Sequence, residues 1–142
     1  MSELLDRIKR SLAERYAIER ELGRGGMGDV FKASHQRMKL VVAVKTISDR
    51  ITHRADALAR FDREIRASAM LDHPRLVTAY AAGEVGGQHY LVLKYVDGRD
   101  LQSIVRRDGT LSIARAVRVL REAAEGLGYL HSKGLVHRDI KP

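Results

Sequence analysis

Three glycines between two strand-like segments constrain the fold of this chain more than any other feature of its sequence. They form the pattern Gly23-x-Gly25-x-x-Gly28, after a segment (residues 16–22) in which apolar and charged residues alternate as in a half-buried strand. Taken alone, the pattern is explained equally well by a flexible hairpin turn or by a loop that approaches a phosphate. The next residues, Val30-Phe31-Lys32-Ala33, are typical of a strand, whereas a dinucleotide-binding fold needs a helix to begin at the third glycine. The glycines are therefore predicted to lie in a β-hairpin.

A lysine and a glutamate lie where the predicted elements are otherwise apolar. Residues 40–47 are predicted to be a central strand because they are β-branched and largely apolar on both faces, yet they include Lys45. The helix predicted over residues 52–72 has Glu64 on the same side as Phe61 and Ile65. Each residue alone is more often a tolerated edge residue, and a lysine often extends its ammonium to solvent. Since a buried charge needs a partner, the two together predict an ion pair at a buried edge that joins the helix to the sheet.

The remaining periodicity predicts one further helix before the sheet and two after it. Apolar residues at helical spacing, including Ile8 and Leu12, predict an amphipathic helix over residues 3–14. Strands are predicted at residues 76–82 and 89–96, followed by a short helix over 101–107 and a long one that Ser112 caps and that runs through Ser132. The long helix is apolar on two sides, which is typical of a helix buried in a larger body. The 142-residue chain alone is therefore expected to expose Leu120, Ala124 and Leu127 and to aggregate.

Composition excludes several classes of protein. The chain has 142 residues and a net charge of +8, and it has no cysteine, which excludes disulfide scaffolds, cysteine-ligated zinc and thiol catalysis. Its acidic and basic residues are interleaved, aromatic residues make up only 5%, and tryptophan is absent, so nucleic-acid binding is not expected. No apolar run approaches the ~18 residues of a membrane helix, and early charges argue against a secretory signal. A cytoplasmic location is expected.

In their order and spacing, the motifs resemble the eukaryotic-type protein kinase family, and its bacterial Ser/Thr kinases in particular. Gly23-Arg-Gly-Gly-Met-Gly-Asp-Val30 resembles the glycine-rich loop of the family, and Val42-Ala-Val-Lys45 resembles its strand-three lysine motif. Glu64 lies where the family has the helix glutamate that pairs with this lysine, and His137-Arg-Asp-Ile-Lys-Pro142 resembles the start of the catalytic loop. The resemblance extends over residues 16–142.

The resemblance implies an α+β fold, namely a kinase-like N-lobe with a five-stranded antiparallel sheet and one packed helix, followed by the first helices of a C-lobe. Residues 1–15 would then form an N-terminal helix, 16–96 the N-lobe and hinge, and 97–142 the start of the C-lobe. It also implies ATP and Mg²⁺ as cofactors and proteins with Ser or Thr hydroxyls as substrates. It says nothing of oligomeric state.

The resemblance also implies a role for individual residues. Lys45 would hold the α- and β-phosphates while paired with Glu64, Asp139 would accept the proton of the substrate hydroxyl, and Lys141 would lie near the γ-phosphate. Asp100 would reach the ribose. The other residues implied in nucleotide binding are Gly23, Gly25 and Gly28 over the phosphates, Leu22, Val30 and Ala43 against adenine, Leu93 as gatekeeper, and the backbone of Lys94 and Val96 at the hinge.

The sequence departs from the family pattern in two places. Lys94 replaces the glutamate common at that hinge position, with little expected effect because only its backbone would contact adenine. The sequence also contains no Asp-Phe-Gly segment, and it ends before the catalytic-loop asparagine; both supply metal ligands in the family. The chain as given is therefore expected not to transfer phosphate. The alternative is a non-catalytic nucleotide-binding or interaction module.

Overall fold

A computed structural model describes residues 3–25, 28–47 and 55–142, with side chains from residue 6 onward. The chain forms α1 (Glu3–Leu12), β1 (Tyr16–Gly25), β2 (Gly28–His35), β3 (Leu40–Thr46) and α2 (Ala55–Ala69). These are followed by β4 (Ala79–Val85), β5 (Gln88–Lys94), α3 (Leu101–Asp108) and α4 (Ile113–Ser132). The first part of the helix expected over 52–72 lies outside the described residues.

The five strands form one antiparallel sheet in the order β1-β2-β3-β5-β4. The β-branched segment that was predicted to be central is central, because β3 pairs with β2 on one side and β5 on the other. β4 begins at Ala79, three residues later than the sequence pattern suggested. The predicted α+β fold, a five-stranded antiparallel sheet with helices, is thus confirmed.

The two faces of the sheet bury different clusters of side chains, and β3, expected to be largely apolar on both faces, contributes to each. Val42 and Val44 face α1, whose Ile8 and Leu12 are buried against them together with residues of β1, β2 and β5. The opposite face carries Ile47 and Leu91, which pack against Phe61 of α2. α2 is therefore held on the face that also carries Lys45, because β3 residues 43, 45 and 47 alternate with 42, 44 and 46.

The described chain divides into two compact units. The first consists of residues up to Met70 together with Thr78–Tyr95, and it contains the whole sheet. The second consists of Leu71–Val77 and Val96–Pro142. The boundaries 1–15, 16–96 and 97–142 expected from the sequence remain a prediction.

In the second unit, the segment Leu71–Val77 lies against α4. Arg75 forms ion pairs with Glu122 at 3.4 Å and Glu125 at 3.2 Å, and the ring of His73 stacks on Tyr129 with 4.9 Å between centroids. Ser112 caps α4, as predicted, by accepting a hydrogen bond from the backbone N–H of Arg115. Within the described residues, no helix is both long and apolar enough to span a membrane.

Candidate functional site

Lys45 and Glu64 form an ion pair that joins β3 to α2. The Lys45 Nζ lies 2.8 Å from Glu64 Oε1. The pair is only half-buried, since the side chains are 24% and 42% exposed respectively. The pair thus lies at the edge of the contact between helix and sheet, where the sequence predicted an ion pair. The lysine ammonium is nevertheless fixed in position by a hydrogen bond.

Three apolar residues expected to surround a nucleotide base lie on the same sheet face as Lys45. Val30 of β2 pairs with Lys45 across the sheet, and Ala43 of β3 pairs with Leu93 of β5. Residues paired in this way point to the same side of an antiparallel sheet. Ala43 is 8% exposed, whereas Val30 and Leu93 are half-buried. The topology thus brings together an apolar strip and a fixed cation.

The three glycines of the hairpin lie in different surroundings. A side chain at Gly23 would meet no atom within 4 Å, and one at Gly25 would meet only the Gly28 carbonyl oxygen at 3.5 Å. Gly28 has φ +150°, and a Cβ there would overlap the carbonyl group of Thr46. The third glycine is therefore required by its close approach to the end of β3, while the first two leave open space beside their backbone.

Leu22, Lys94 and Val96, which were also expected to contact the nucleotide, lie near the ends of strands or just after them. Leu22 is 37% exposed and lies where the register between β1 and β2 shifts. The backbone N–H of Lys94 already donates to the carbonyl of Thr78 at 2.8 Å. A contact from the Lys94 backbone to adenine would therefore use its carbonyl oxygen. Val96 is 63% exposed and belongs to the second unit.

Asp100, which the resemblance assigned to the ribose, is the N-cap of α3. Its Oδ1 accepts a hydrogen bond from the backbone N–H of Ser103 at 2.7 Å, and its Oδ2 accepts one from the Ser103 hydroxyl at 2.9 Å. These two bonds, the backbone bond foremost, lower the pKa of the Asp100 carboxyl. Both carboxylate oxygens are therefore engaged within the helix that Asp100 starts.

Asp139 and Lys141 lie together in the second unit. Lys141 Nζ donates to Asp139 Oδ2 at 3.2 Å, and the backbone N–H of Asp139 donates to His137 Nδ1 at 3.2 Å. The side chains of Asp139 and Lys141 are 73% and 74% exposed, and the intervening turn has Arg138 at φ 63°. The carboxylate is accessible and has a cation beside it.

The Mg²⁺ implied by the resemblance has no complete site among residues 3–25, 28–47 and 55–142. No group of three or more His, Cys, Asp or Glu side chains there could hold a metal ion. The residues present therefore do not fit a protein-bound magnesium, and no chemical step is derived through one.

Sequence reasoning did not single out Gln88, which the structure buries at the start of β5. Its side chain is 4% exposed and forms hydrogen bonds with α1 and with the end of β3. A glutamine after Gly86-Gly87 resembles an ordinary hairpin residue, so the local pattern carries no signal for this position.

Comparison with known families identifies the fold that carries these features. The model of the protein kinase domain matches residues 16–142. The chain belongs to the protein kinase family. The match begins at the first residue of β1 and includes the hairpin, the Lys45–Glu64 pair and the Asp139 loop, so the family predicted from the motifs is confirmed.

Bacterial Ser/Thr kinases are among the relatives of this kinase chain. It is 39% identical over 127 residues to the serine/threonine-protein kinase PknD of Mycobacterium tuberculosis, covering 89% of this chain and 19% of the relative. It is 37% identical over all 142 residues to PknH of Mycobacterium bovis, of which it covers 24%. The chain thus spans about a fifth to a quarter of the length of these relatives.

A solved structure shares the fold. The crystal structure of the PknI kinase domain of M. tuberculosis matches with a TM-score of 0.76 and 32% identity, covering 89% of this chain and 51% of that one. The chain therefore shares the fold of about half of that kinase domain.

Proposed function

We propose that this chain carries the ATP-binding part of a Ser/Thr protein kinase, and that the protein to which it belongs transfers the γ-phosphoryl group of ATP to Ser or Thr hydroxyls of proteins. The observation that supports this best is the Lys45–Glu64 ion pair at 2.8 Å on a sheet face that also carries Val30, Ala43 and Leu93. A fixed ammonium beside an apolar strip suits a ligand with an anionic end and a flat aromatic end.

The residues of the proposed nucleotide site have separate tasks. Lys45 holds the α- and β-phosphates, and Glu64 keeps its ammonium in place. Gly23 and Gly25 leave room for phosphate oxygens to approach the backbone. Leu22, Val30 and Ala43 contact adenine, Leu93 is the gatekeeper, and the hinge backbone at Lys94 and Val96 binds the adenine edge.

Within the second unit, the proposal assigns the acceptor side of the reaction to the Asp139 loop. ATP supplies the phosphoryl group: the substrate hydroxyl oxygen bonds to the γ-phosphorus, the bond from that phosphorus to the β–γ bridging oxygen breaks, and ADP leaves. Asp139 accepts the hydroxyl proton, and Lys141 stabilises negative charge on the transferred group. Positioning and charge neutralisation supply most of the catalysis in such transfers.

The ATP site is tested by binding of ATP to the 142-residue chain, measured by isothermal titration calorimetry. Lys45→Met is expected to weaken binding at least tenfold, because it removes the cation that meets the phosphates. Lys39→Met is the control, since it removes the same charge from an exposed lysine in the turn between β2 and β3. Equal losses in the two variants would contradict the assignment of Lys45.

Phosphoryl transfer is tested separately. We propose that the 142-residue chain does not transfer phosphate on its own, because its described residues hold no metal site. Incubation with radiolabelled ATP, Mg²⁺ and a generic basic protein is expected to give no labelled protein, while a longer protein that contains this chain labels it and loses activity in Asp139→Asn. ATP binding without transfer in the longer protein would favour the non-catalytic module.

A further inference from the structure

Gln88 is a buried amide that connects three separate segments of the first unit. Its Nε2 donates to the carbonyl of Ile47, just after β3, and to the carbonyl of His89 at 3.2 Å. Its Oε1 accepts a hydrogen bond from Arg7 of α1 at 3.2 Å. Burying an amide is costly unless its donors and acceptors are satisfied, and here they are satisfied by two segments that are distant in sequence.

Ile47, whose carbonyl accepts the hydrogen bond from Gln88, contacts both α2 and the glycine hairpin. Its side chain is 3% exposed and packs against Phe61, which lies one helical turn before Glu64. Its backbone and that of Thr46 lie directly against Gly28, the third glycine of the hairpin. A displacement at Ile47 would therefore move the glycine hairpin, α2 and, two residues earlier in the same strand, Lys45.

Arg7 connects this junction to α1, which packs on the other side of the sheet. Ile8 and Leu12 anchor that helix in the core, at 1% and 4% exposure. A small cavity remains beside Gln88, lined by Ile8, Ser11, Leu12, Val85, Gln88 and Tyr90. The Arg7–Gln88 hydrogen bond adds a directional polar contact between α1 and the start of β5 to this apolar packing.

We propose that Gln88 is a positioning residue for nucleotide binding, and that Arg7 of α1 acts through it. Gln88 fixes the end of β3, and this holds Lys45 and Gly28 in the geometry that binds phosphates. The N-terminal helix thereby contributes to ATP affinity although it lies on the face of the sheet opposite Lys45. The expected change in ATP affinity rests on the proposed function, whereas the expected change in the packing of Ile47 does not.

Four variants of the 142-residue chain test the Arg7–Gln88 and Gln88–Ile47 hydrogen bonds. Arg7→Met removes the donor from α1 and leaves the bond to Ile47. Gln88→Met removes both the acceptor for Arg7 and the donor to the Ile47 carbonyl, and it adds no charge to this buried position. The third variant combines both changes, and Arg7→Lys restores a donor at position 7. Arg10→Met is the matched control, because Arg10 is exposed on the same helix and bonds only to the Asp6 carbonyl of its own turn among the contacts described.

Two measurements are made on each variant: ATP affinity by calorimetry, and hydrogen exchange of the Ile47 amide, which donates to the His89 carbonyl at 3.1 Å. Arg7→Met and Gln88→Met are each expected to weaken ATP binding about threefold to tenfold and to speed exchange at Ile47. The double variant is expected to match Gln88→Met alone, because residues that act through one contact are not additive. Arg7→Lys is expected to recover most of the affinity, and Arg10→Met to stay within about twofold of the parent.

Three results would overturn the proposal. The first is a lower melting temperature with unchanged ATP affinity, which would give Gln88 a structural role only. The second is additive losses in the double variant, which would mean that Arg7 acts elsewhere. The third is unchanged exchange at Ile47 in both single variants. If the parent chain does not bind ATP, the proposed function fails, while exchange at Ile47 still decides whether Arg7 and Gln88 position the end of β3.

Discussion

Gly28 is the residue whose replacement has the clearest physical consequence. A Cβ at this position would overlap the backbone of Thr46, and the φ of +150° is one that side-chain-bearing residues rarely adopt. Gly28→Ala is therefore expected to lower the free energy of unfolding by about 3 kcal/mol, from overlap and backbone strain together. Urea unfolding followed by circular dichroism measures the change.

Gly23→Ala is the control for this prediction, because nothing lies within 4 Å of a side chain there. It is expected to change the free energy of unfolding by less than about 1 kcal/mol. Equal effects at the two positions would contradict the close approach of Gly28 to β3.

Asp100 offers a test of electrostatics at the start of α3. Its pKa is lowered because the backbone N–H and the hydroxyl of Ser103 donate to the charged carboxylate. Because the pKa is lowered in the folded state, the ionised Asp100 cap contributes its full stabilisation at pH values above the ordinary pKa of an aspartate. That contribution is lost as the pH falls through the lowered value.

Ser103→Ala should raise the pKa of Asp100 towards its ordinary value, because the hydroxyl donor is removed while the backbone donor remains. Carboxyl-carbon NMR titration of the parent and the variant measures this shift. Ser112→Ala serves as the control, since it removes the hydroxyl that caps α4 instead and should leave the Asp100 titration unchanged. An identical Asp100 pKa in parent and Ser103→Ala would contradict the capping geometry.

Among the elements, α1 is part of the first unit rather than an appendage to it. Ile8 is 1% exposed and lies in one cluster with Leu12, Val42, Val44 and Tyr90. Ile8→Ala is expected to lower the free energy of unfolding by about 2–5 kcal/mol, the usual cost of removing a buried aliphatic side chain. Chemical denaturation checks it, with exposed Arg10→Ala expected to cost less than about 1 kcal/mol. Equal small effects would mean that α1 does not pack on the sheet.

At the scale of the whole molecule, α4 leaves an apolar stripe open to solvent. Ile113, Val117 and Leu120 are 85%, 59% and 70% exposed. Ala124 is exposed as expected, whereas Leu127, which was also expected to be exposed, is half-buried. A contiguous surface of this kind favours self-association, so the 142-residue chain is expected to bind the dye ANS and to aggregate as its concentration rises. The combined change Val117→Lys and Leu120→Lys should reduce both, as measured by ANS fluorescence and light scattering. A monodisperse parent chain that does not bind ANS would contradict this prediction.

The sequence alone determined the features that depend on neighbours a few residues apart. The β-branched and apolar residues on both faces of β3 predicted a central strand, and Ser112 predicted the start of α4. The glycine pattern followed by Val30 predicted a hairpin rather than a strand-to-helix turn. The kinase family followed from the order of the motifs and their distances along the sequence, so no tertiary information was needed to predict it.

Only the tertiary structure decided the features that join distant segments. Arg7 and Ile47 are 81 and 41 residues away from Gln88 in the chain, so no local period could reveal that one amide connects them. The half-exposed state of the Lys45–Glu64 pair depends on how far α2 covers the sheet, and the need for glycine at position 28 depends on where the end of β3 lies. Periodicity fixes which face a residue occupies, whereas close packing between elements decides what it contacts and how much water remains.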